Sequence, residues 1–318
     1  MSQPNAKISK DDIDDFQSVA ILIPCYQEAE TIKKVIEDFK RELPDARIYV
    51  YDNNCTDNTA RIAKNAGAIV RKEKRQGKGY VIGTMFDQIN EDIIILVDGD
   101  DTYEASYVHR LMEPVLAKDA DMVIATRLTE HQAKAFRPLH IWGNRLVCSA
   151  VNWIFQAKIS DIFSGYRVFT KAAVRQIPIT AKGFDVETEL TLQALYRGQV
   201  IHEVMVPYRA RPIGSFSKLN TIRDGFKVVI RLLLIIKSYK PLTFFGSISF
   251  ILFIATIAVG IGPVFEFLTK HYVYRVPSAI LAGILGLLGF GSLAVGLILN
   301  SLNLRLMELE RLIHRKSS

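Results

Sequence analysis

The chain reads Ile93-Ile94-Ile95-Leu96-Val97-Asp98-Gly99-Asp100-Asp101 near the end of its first third, so that five apolar residues run directly into a group of carboxylates. A short, uninterrupted apolar run rich in β-branched residues predicts a strand that is buried on both faces, as in a parallel sheet covered by helices. The carboxylates then emerge at the carboxyl end of the strand, where sheets of this kind bind their ligands. The stretch therefore predicts an α/β domain with an acidic site at one edge of its sheet.

Short apolar runs alternate with amphipathic stretches on both sides of this strand, which predicts a mainly parallel sheet with helices between the strands. We predict strands at Val19–Pro24, Arg47–Asp52, Ala68–Arg71, Asp92–Val97 and Met122–Ala125. Each of these runs ends in a polar loop. Because ligands bind outside the carboxyl ends of such strands, one crevice is expected to gather Tyr26, Glu28, Asp52, Asn53, the loop Arg75–Gly79, Asp98 and Asp100.

The alternation weakens after Ala125, and we expect the following part of the chain to bind a second substrate. Its predicted elements are a helix at Trp142–Phe155, a polar segment at Ser160–Arg167, a helix at Glu187–Arg197, a strand at Val200–Val206 and a polar loop at Arg209–Lys218.

Asp98 and Asp100 are the predicted metal ligands, because carboxylate oxygens suit Mg²⁺ or Mn²⁺ and a bound diphosphate can complete the coordination shell. Such a metal would make the diphosphate a better leaving group. An EF-hand is excluded, since it needs Gly and Glu where this chain has Tyr103 and His109. A solvated acidic turn remains the alternative. The glycine spacing at Gly77-Lys78-Gly79 fits neither a dinucleotide-binding loop nor a P-loop.

Two segments near the carboxyl end, Leu242–Phe265 and Ser278–Leu302, contain no charged residue. Each is long enough to cross a hydrocarbon core of about 30 Å. The preceding stretch, Leu219–Tyr239, has cations at spacings of four, at Arg223, Lys227 and Arg231, which predicts a basic amphipathic helix on the membrane surface. The chain is thus expected to divide into a catalytic domain at 1–218, an interfacial helix at 219–240, two transmembrane helices with a short outer loop at 241–304 and a tail at 305–318.

The charges that flank the two spans favour a topology with the catalytic domain and both ends in the cytoplasm of an inner or plasma membrane. Met1–Phe16 is polar and lacks the apolar region of a secretory signal, which agrees with that orientation. The formal net charge of +7 would suit a polyanion or an acidic lipid surface. Cations lie beside the spans and no nucleic-acid-binding motif is found, so the bilayer is the expected partner and nucleic acid is not.

Several motifs occur in an order that resembles the family 2 glycosyltransferases. They are Ile23-Pro24-Cys25-Tyr26-Gln27-Glu28, Tyr51-Asp52-Asn53-Asn54-Cys55-Thr56-Asp57, Arg75-Gln76-Gly77-Lys78-Gly79, Asp98-Gly99-Asp100, Asp161-Ile162-Phe163-Ser164-Gly165-Tyr166-Arg167 and Gly214-Ser215-Phe216-Ser217-Lys218-Leu219. Together with the two spans, they are similar to the branch of dolichyl-phosphate mannose synthases and bacterial polyprenyl-phosphate glucosyltransferases. The resemblance covers nearly the whole chain and implies a GT-A fold, which is Rossmann-like.

The resemblance also implies which residues bind a nucleotide-sugar. Asp98 and Asp100 would hold the metal, and Thr102 stands at the position that often supplies another ligand. The remaining donor-binding residues would be Pro24, Tyr26, Glu28, Asp52, Arg75 and Lys78. Capping of a helix near Thr59 is the alternative role for Asp52 and the preferred one for Asp57, and surface charge is the alternative for Arg75 and Lys78.

The acceptor implied by the resemblance is a polyprenyl phosphate, such as undecaprenyl phosphate. Its phosphate would be bound by Arg127, Arg145, Arg209, Arg211, Ser217 and Lys218. Asp161 stands at the position of the catalytic carboxylate. A phosphate monoester has a second pKa of about 6 and is already largely ionised at neutral pH, so Asp161 need not remove a proton. Its expected role is to orient cations or to stabilise developing positive charge, and a structural salt bridge to Arg167 is the alternative.

The expected activity is therefore an inverting, metal-dependent transfer of a hexose from a nucleotide-sugar to polyprenyl phosphate. UDP-glucose is the preferred donor and GDP-mannose the alternative. The alternative from another class is a non-catalytic membrane scaffold with a transferase-like domain. The retained carboxylates Asp98 and Asp100 argue against it. The sequence leaves open whether the chain forms a homo-oligomer.

Overall fold

The computed structural model describes residues 18–127, 138–183, 185–209, 229–230, 233–234 and 236–317. The chain forms two compact units, which divide between Val229 and Ile230. The first unit contains a seven-stranded sheet covered by helices, and the second contains two long helices.

The strands of the first unit are short, as expected from the apolar runs. They are β1 Val19–Cys25, β2 Arg47–Asp52, β3 Ile69–Lys72, β4 Ile93–Leu96, β5 Met122–Thr126, β6 Arg167–Thr170 and β7 Ile201–Met205. The helices are α1 Ile32–Glu42, α2 Thr59–Asn65, α3 Lys78–Gln88, α4 Val108–Leu116, α5 Pro138–Phe155, α6 Lys171–Gln176 and α7 Val186–Tyr196.

The strands are arranged in the order β3-β2-β1-β4-β6-β5-β7. All neighbours are parallel except β6, which runs antiparallel to β4 and β5. Arg167 of β6 lies opposite Leu96 on one side and Ile124 on the other. The carboxyl ends of β4 and β5 therefore lie at the same edge of the sheet, two strand spacings or about 10 Å apart.

The central strand β4 is buried on both faces, as its sequence predicted. Ile93 and Ile95 belong to the core layer formed with α1, α2 and α4. Ile94 and Leu96 belong to the opposite layer, formed with α3, α6 and α7. The prediction of a mainly parallel α/β sheet is thus confirmed, with period-two alternation directing neighbouring side chains into different layers.

Some elements differ from the sequence-based expectations. The strand β6 was not predicted, because it is only four residues long and begins with an arginine. Helix α3 begins at Lys78, inside the segment predicted as a loop. Helix α5 begins at Pro138, four residues before the predicted start at Trp142.

The second unit consists of α8, Pro241–Lys270, and α9, Val276–Ser317. Two stretches are long and apolar enough to cross a membrane, Pro241–Lys270 and Val276–Leu306. Only 11% and 17% of the most apolar part of each stretch is buried. Core helices of a soluble protein would be mostly buried. The predicted tail from 305 continues α9. Of the predicted interfacial helix, residues 229–230, 233–234 and 236–239 are helical, whereas Arg223, Lys227 and Arg231 lie outside the described residues.

Candidate active site

The two predicted metal ligands follow β4 at the edge of the sheet where the parallel strands end. Asp100 is buried, and its Oδ1 accepts hydrogen bonds from the Thr102 hydroxyl at 2.6 Å and the Thr102 amide at 3.3 Å. Thr102 therefore orients Asp100. The Asp98 side chain is partly exposed. Carboxylate oxygens so placed fit a hard divalent cation whose remaining ligands come from a diphosphate and water. Among the described residues, no group of three or more Asp, Glu, His or Cys side chains could hold a metal.

Asp98 is confined by a glycine in the segment between α5 and β6. A Cβ atom on Gly165 would lie 2.3 Å from Asp98 Oδ2, which is closer than any stable contact. The Gly165 amide donates to the Tyr103 hydroxyl at 3.1 Å, and that hydroxyl also lies 3.1 Å from the Ser164 hydroxyl. The absence of a side chain at Gly165 thus leaves the space that the Asp98 carboxylate occupies.

Lys78 connects Asp98, one of the two predicted metal ligands, to Glu187 of α7. Its Nζ lies 2.5 Å from Asp98 Oδ1 and 2.5 Å from Glu187 Oε1. Burial alone would lower the pKa of Lys78, but the charges of Asp98 and Glu187 outweigh it and hold that pKa above its usual value. Lys78 is therefore a charged, largely buried member of the site, and its alternative role as surface charge is wrong.

The glycines on both sides of Lys78 allow this approach. A Cβ atom on Gly77 or on Gly79 would lie 2.0 Å from the backbone carbonyl oxygen of Lys182 or Ala181, respectively. Gly77 also has φ of 139°, which favours glycine. The segment before α7 thus packs its backbone directly against the start of α3.

The predicted nucleotide-binding residues lie at the ends of the neighbouring strands β1 and β2. Pro24 pairs with Tyr51, and Cys25 pairs with Asp52. Asp52 Oδ1 accepts from the Cys55 amide at 2.7 Å, which fixes the turn after β2. Glu28 is buried, whereas Tyr26 is exposed.

Gln27 connects the two loops that follow β1 and β2. Its Oε1 accepts from the amides of Thr56 and Asp57 at 3.1 Å each, and its Nε2 donates to the Thr56 hydroxyl at 2.6 Å. Asp57 in turn accepts from the Thr59 amide at 3.0 Å, at the first residue of α2. The N-cap position is Asn58, whose side chain makes no capping hydrogen bond, so Asp57 binds the start of α2 from one residue before the cap.

Arg75 lies in the same loop as Lys78 but has different partners. Its Nε and Nη2 donate to Glu73 at 3.0 and 2.9 Å, and Nη2 also donates to Thr84 at 3.1 Å. The hydrogen bonds from Arg75 lower the pKa of Glu73 to about 2. The structure thus gives Arg75 a local ion pair and does not place it on the carboxylates that hold Lys78.

Asp161 and Arg127 form the second charged centre of the site. Arg127 directly follows β5, and its Nε and Nη2 donate to the Asp161 carboxylate at 2.9 and 3.1 Å. The Asp161 side chain is fully buried. Burial would raise the pKa of Asp161, but Arg127 outweighs it, and the net effect lowers that pKa. Asp161 is therefore ionised and already occupied by a cation.

The alternative role of Asp161, a salt bridge to Arg167, is wrong. Arg167 is buried within the sheet and donates to the carbonyl oxygens of Ser164, Ile162 and Glu187, each at 2.9 Å. Its backbone belongs to β6, whose position directs the side chain toward α7. Asp161 meets the arginine at the end of β5 instead.

Tyr208 lies next to Arg127 of the second charged centre. The Arg127 guanidinium stands 5.4 Å from the centroid of the Tyr208 ring. Burial raises the pKa of Tyr208, Arg127 opposes this increase, and the charges of Asp100 and Asp98 add to it. Tyr208 therefore lies within electrostatic range of both the metal carboxylates and the Arg127–Asp161 pair.

The other predicted acceptor-binding residues differ in their surroundings. Arg145 is exposed on α5, next to Asn144, which binds the Ser160 carbonyl at 2.9 Å and so ties the helix to the segment that holds Asp161. Arg209 pairs with Glu104 at 2.7 Å, and its amide donates to the Thr102 carbonyl at 2.9 Å. Arg211, Ser217 and Lys218 lie outside the described residues.

Sequence reasoning did not assign functional roles to Glu187, Arg167 or Tyr208. Glu187 was only the expected first residue of a helix, and Arg167 was only the expected partner of Asp161. No spacing in the sequence signals their contacts, since Lys78 and Glu187 are 109 positions apart.

Comparison with known proteins places these features in a family. Residues 20–177 match the profile described as Glycosyl transferase family 2. The chain is 35% identical over 286 residues to "Glycosyltransferase AglJ" of Haloferax volcanii, covering 87% of this chain and 92% of that protein. It is 26% identical to the "Dolichyl-phosphate hexose transferase" of the same organism, covering 66% and 90% of the two chains.

Among solved structures, the fold is similar to that of glucosyl-3-phosphoglycerate synthase from Mycobacterium tuberculosis, in a complex with Mn²⁺, UDP and glucosyl-3-phosphoglycerate. The TM-score is 0.60 at 19% sequence identity, covering 74% of this chain and 85% of that one. This similarity concerns the fold, which is the Rossmann-like GT-A fold.

Proposed function

The chain belongs to the family 2 glycosyltransferases, and from this premise we propose that it transfers a hexose from a nucleotide-sugar to the phosphate of a polyprenyl phosphate. The product would be a polyprenyl-phosphate hexose, formed with inversion at the anomeric carbon. UDP-glucose is the preferred donor, and GDP-mannose is the alternative. The name of the relative that transfers hexose to dolichyl phosphate supports the acceptor class.

The observation that carries this proposal is the buried ion pair of Asp161 with Arg127. An acceptor hydroxyl must lose a proton as it attacks, and a carboxylate already paired with arginine is a poor base for that purpose. A phosphate acceptor is largely ionised at neutral pH and needs no such base. The pair therefore suits a phosphate as the attacking group, with Asp161 holding Arg127 in position.

The donor would lie in the crevice at the carboxyl ends of β1, β2 and β4. Asp52 and Glu28, with Tyr26 and Pro24, are proposed to bind the nucleoside. Asp98 and Asp100 would hold Mg²⁺ or Mn²⁺, which supplies positive charge to the diphosphate as it leaves. Lys78 stands beside Asp98, where its ammonium can also bind phosphate oxygens. Arg75 lies in the same loop, where its guanidinium binds Glu73, and it is also proposed to bind the donor.

The acceptor phosphate must reach the sugar from the other side, in line with the bond that breaks. Arg127 is proposed to bind the acceptor phosphate on that side, since it follows β5 whereas Asp98 and Asp100 follow β4. Further residues are proposed to bind the acceptor phosphate: the cations Arg145, Arg209, Arg211 and Lys218, and the hydroxyl of Ser217.

The second unit is proposed to anchor the enzyme where its lipid substrate resides. Helices α8 and α9 have the length and apolarity of transmembrane helices. We propose that the catalytic domain and both ends of the chain face the cytoplasm, because Lys237, Lys240, Arg305, Arg311 and Arg315 flank the spans on that side.

The proposal is tested by incubating the purified full chain with undecaprenyl phosphate and a panel that includes UDP-glucose, UDP-galactose, UDP-N-acetylglucosamine and GDP-mannose. Mass spectrometry of the extracted lipid should show one hexose added to the phosphate, with one donor strongly preferred. A mannose product would show that the donor is GDP-mannose, the alternative, and not UDP-glucose. No lipid product from any donor would favour the non-catalytic scaffold.

A further inference from the structure

The Lys78 ammonium forms ion pairs with two carboxylates that lie in different parts of the fold. Asp98 follows β4 and is a proposed metal ligand, whereas Glu187 lies in the first turn of α7. Nζ lies 2.5 Å from an oxygen of each, and only 11% of the Lys78 side chain is exposed. Lys78 therefore occupies one oxygen of Asp98, which is one of the two carboxylates proposed to bind the metal.

Glu187 has more acceptor capacity than this arrangement uses. Its other oxygen, Oε2, is buried and has no hydrogen-bond partner within the part of the chain that the structure describes. Buried carboxylate oxygens without a partner are rare and energetically unfavourable, so this oxygen requires an explanation. A lysine ammonium has three donors and can bind both oxygens of one carboxylate.

The backbone of Glu187 is held by two hydrogen bonds. Its carbonyl oxygen accepts from Arg167 Nη2 at 2.9 Å and from the Thr191 hydroxyl at 3.2 Å. Glu187 itself is only 5% exposed. The backbone of Glu187 is thus held in place, whereas the Lys78 side chain has four rotatable bonds and can change its position between the two carboxylates.

We propose that Glu187 is a positioning residue that receives Lys78 when a divalent metal takes its place on Asp98. The lysine then binds both oxygens of Glu187 and stays in the site as a second positive charge near the donor diphosphate. This inference rests on the proposed metal site at Asp98 and Asp100. It explains the unpartnered oxygen as the acceptor that Lys78 uses in the metal-bound state.

The test measures Mn²⁺ binding directly, by electron paramagnetic resonance on the purified full chain at fixed pH without nucleotide. In Lys78→Gln the competing cation is gone, and Mn²⁺ should bind about tenfold more tightly. The matched control is Lys74→Gln, which removes an exposed charge from the same loop and should leave the affinity unchanged. Damage to the site would weaken binding, so tighter binding distinguishes competition from a structural role.

Glu187→Gln should have the opposite effect, weakening Mn²⁺ binding several-fold, because Lys78 then has no carboxylate to receive it. Most of this effect should disappear when Glu187→Gln is combined with Lys78→Gln. If Glu187 were itself a metal ligand, its substitution would weaken binding as strongly without Lys78. That result would overturn the inference.

Thermal unfolding of each variant shows whether it is folded. If Lys78→Gln does not fold, Glu187→Gln decides, and an unchanged Mn²⁺ affinity in that variant overturns the inference. Equal Mn²⁺ affinity in the wild type and Lys78→Gln also overturns it while leaving the metal site intact. No Mn²⁺ binding by either protein would contradict the proposed metal site as well.

Discussion

The guanidinium of Arg127 and the carboxylate of Asp161 form a buried ion pair through two side-chain hydrogen bonds of 2.9 and 3.1 Å. The Arg127 amide also donates to Asp161, at 3.2 Å. Arg127 directly follows β5 and Asp161 lies in the segment before β6, so the pair holds that segment against the edge of the sheet where the proposed substrates meet. In the proposed mechanism, Asp161 acts on the reaction by holding Arg127 in position.

Asp161→Asn should abolish most activity, because it leaves Arg127 buried without a counter-ion. Removing one partner of a buried pair typically lowers the free energy of unfolding by about 3 to 5 kcal/mol. Turnover should fall about 100-fold from misplacement of the acceptor site. Nucleotide binding, measured by calorimetry, should change little. Full turnover in this variant would show that the pair has no role in the reaction.

The contribution of the pair should depend on pH in a defined direction. The folded-state pKa of Asp161 lies below its ordinary value of about 4, so ionised Asp161 stabilises the folded protein. This contribution to the free energy of unfolding is present above that ordinary value and is lost as the pH falls through the lower folded pKa. Thermal unfolding should therefore show a constant difference between wild type and Asp161→Asn from pH 5 to 8, which shrinks below about pH 4. A difference that varies between pH 6 and 8 would contradict the assignment of an ionised Asp161.

Asp98→Asn and Asp100→Asn should each abolish transfer, since the leaving diphosphate would lack its counter-charge. EDTA should do the same reversibly, with activity restored by excess Mg²⁺ or Mn²⁺. The measurement is product formation from nucleotide-sugar and undecaprenyl phosphate. Undiminished activity in EDTA would exclude the metal from the mechanism.

Gly165→Ala should displace Asp98 and lower turnover strongly, because the new methyl group would lie 2.3 Å from Asp98 Oδ2. The matched control is Gly83→Ala in α3, where the methyl group would meet Ile179 at an ordinary 3.6 Å. That control should be active and slightly more stable, since alanine favours helix by up to about 1 kcal/mol over glycine. Equal turnover in the two variants would show that Asp98 has room to move without loss.

Substituting the proposed acceptor-binding cations should affect the kinetics differently from substituting the donor-binding residues. Arg145→Ala and Lys218→Ala should each raise the KM for polyprenyl phosphate or lower kcat, since a charge-assisted hydrogen bond contributes about 1.5 to 3 kcal/mol. Nucleotide-sugar affinity should barely change. Weakened nucleotide-sugar binding with unaltered acceptor saturation would instead assign these residues to the donor site.

The sequence predicts the central part of the fold because its signals there are local. The apolar run at 93–97 predicts a buried strand, and the alternation of its side chains between two core layers follows from strand geometry. The carboxylates Asp98 and Asp100 could be located for the same reason, since they directly follow that strand. The order of motifs indicates the family, and the family match confirms it.

The contacts that complete the site depend on chain segments far apart and could not be predicted. Arg127 meets Asp161 across 34 positions, although Arg167 is only six positions from Asp161. Strand β6 inserts antiparallel between β4 and β5, which turns Arg167 toward α7. Gly77 and Gly79 suggested a loop, but their missing side chains admit the backbone at 181–182, and α3 starts between them.

The most direct measurement of the central claim is the stoichiometry of the reaction catalysed by the full chain. The wild type, given undecaprenyl phosphate, Mn²⁺ and its preferred nucleotide-sugar, should yield polyprenyl-phosphate hexose and nucleoside diphosphate in equal amounts by mass spectrometry and chromatography. Asp100→Asn should yield neither. Release of nucleoside diphosphate without a glycosylated lipid, or transfer only to an acceptor that lacks the phosphate, would contradict the proposal.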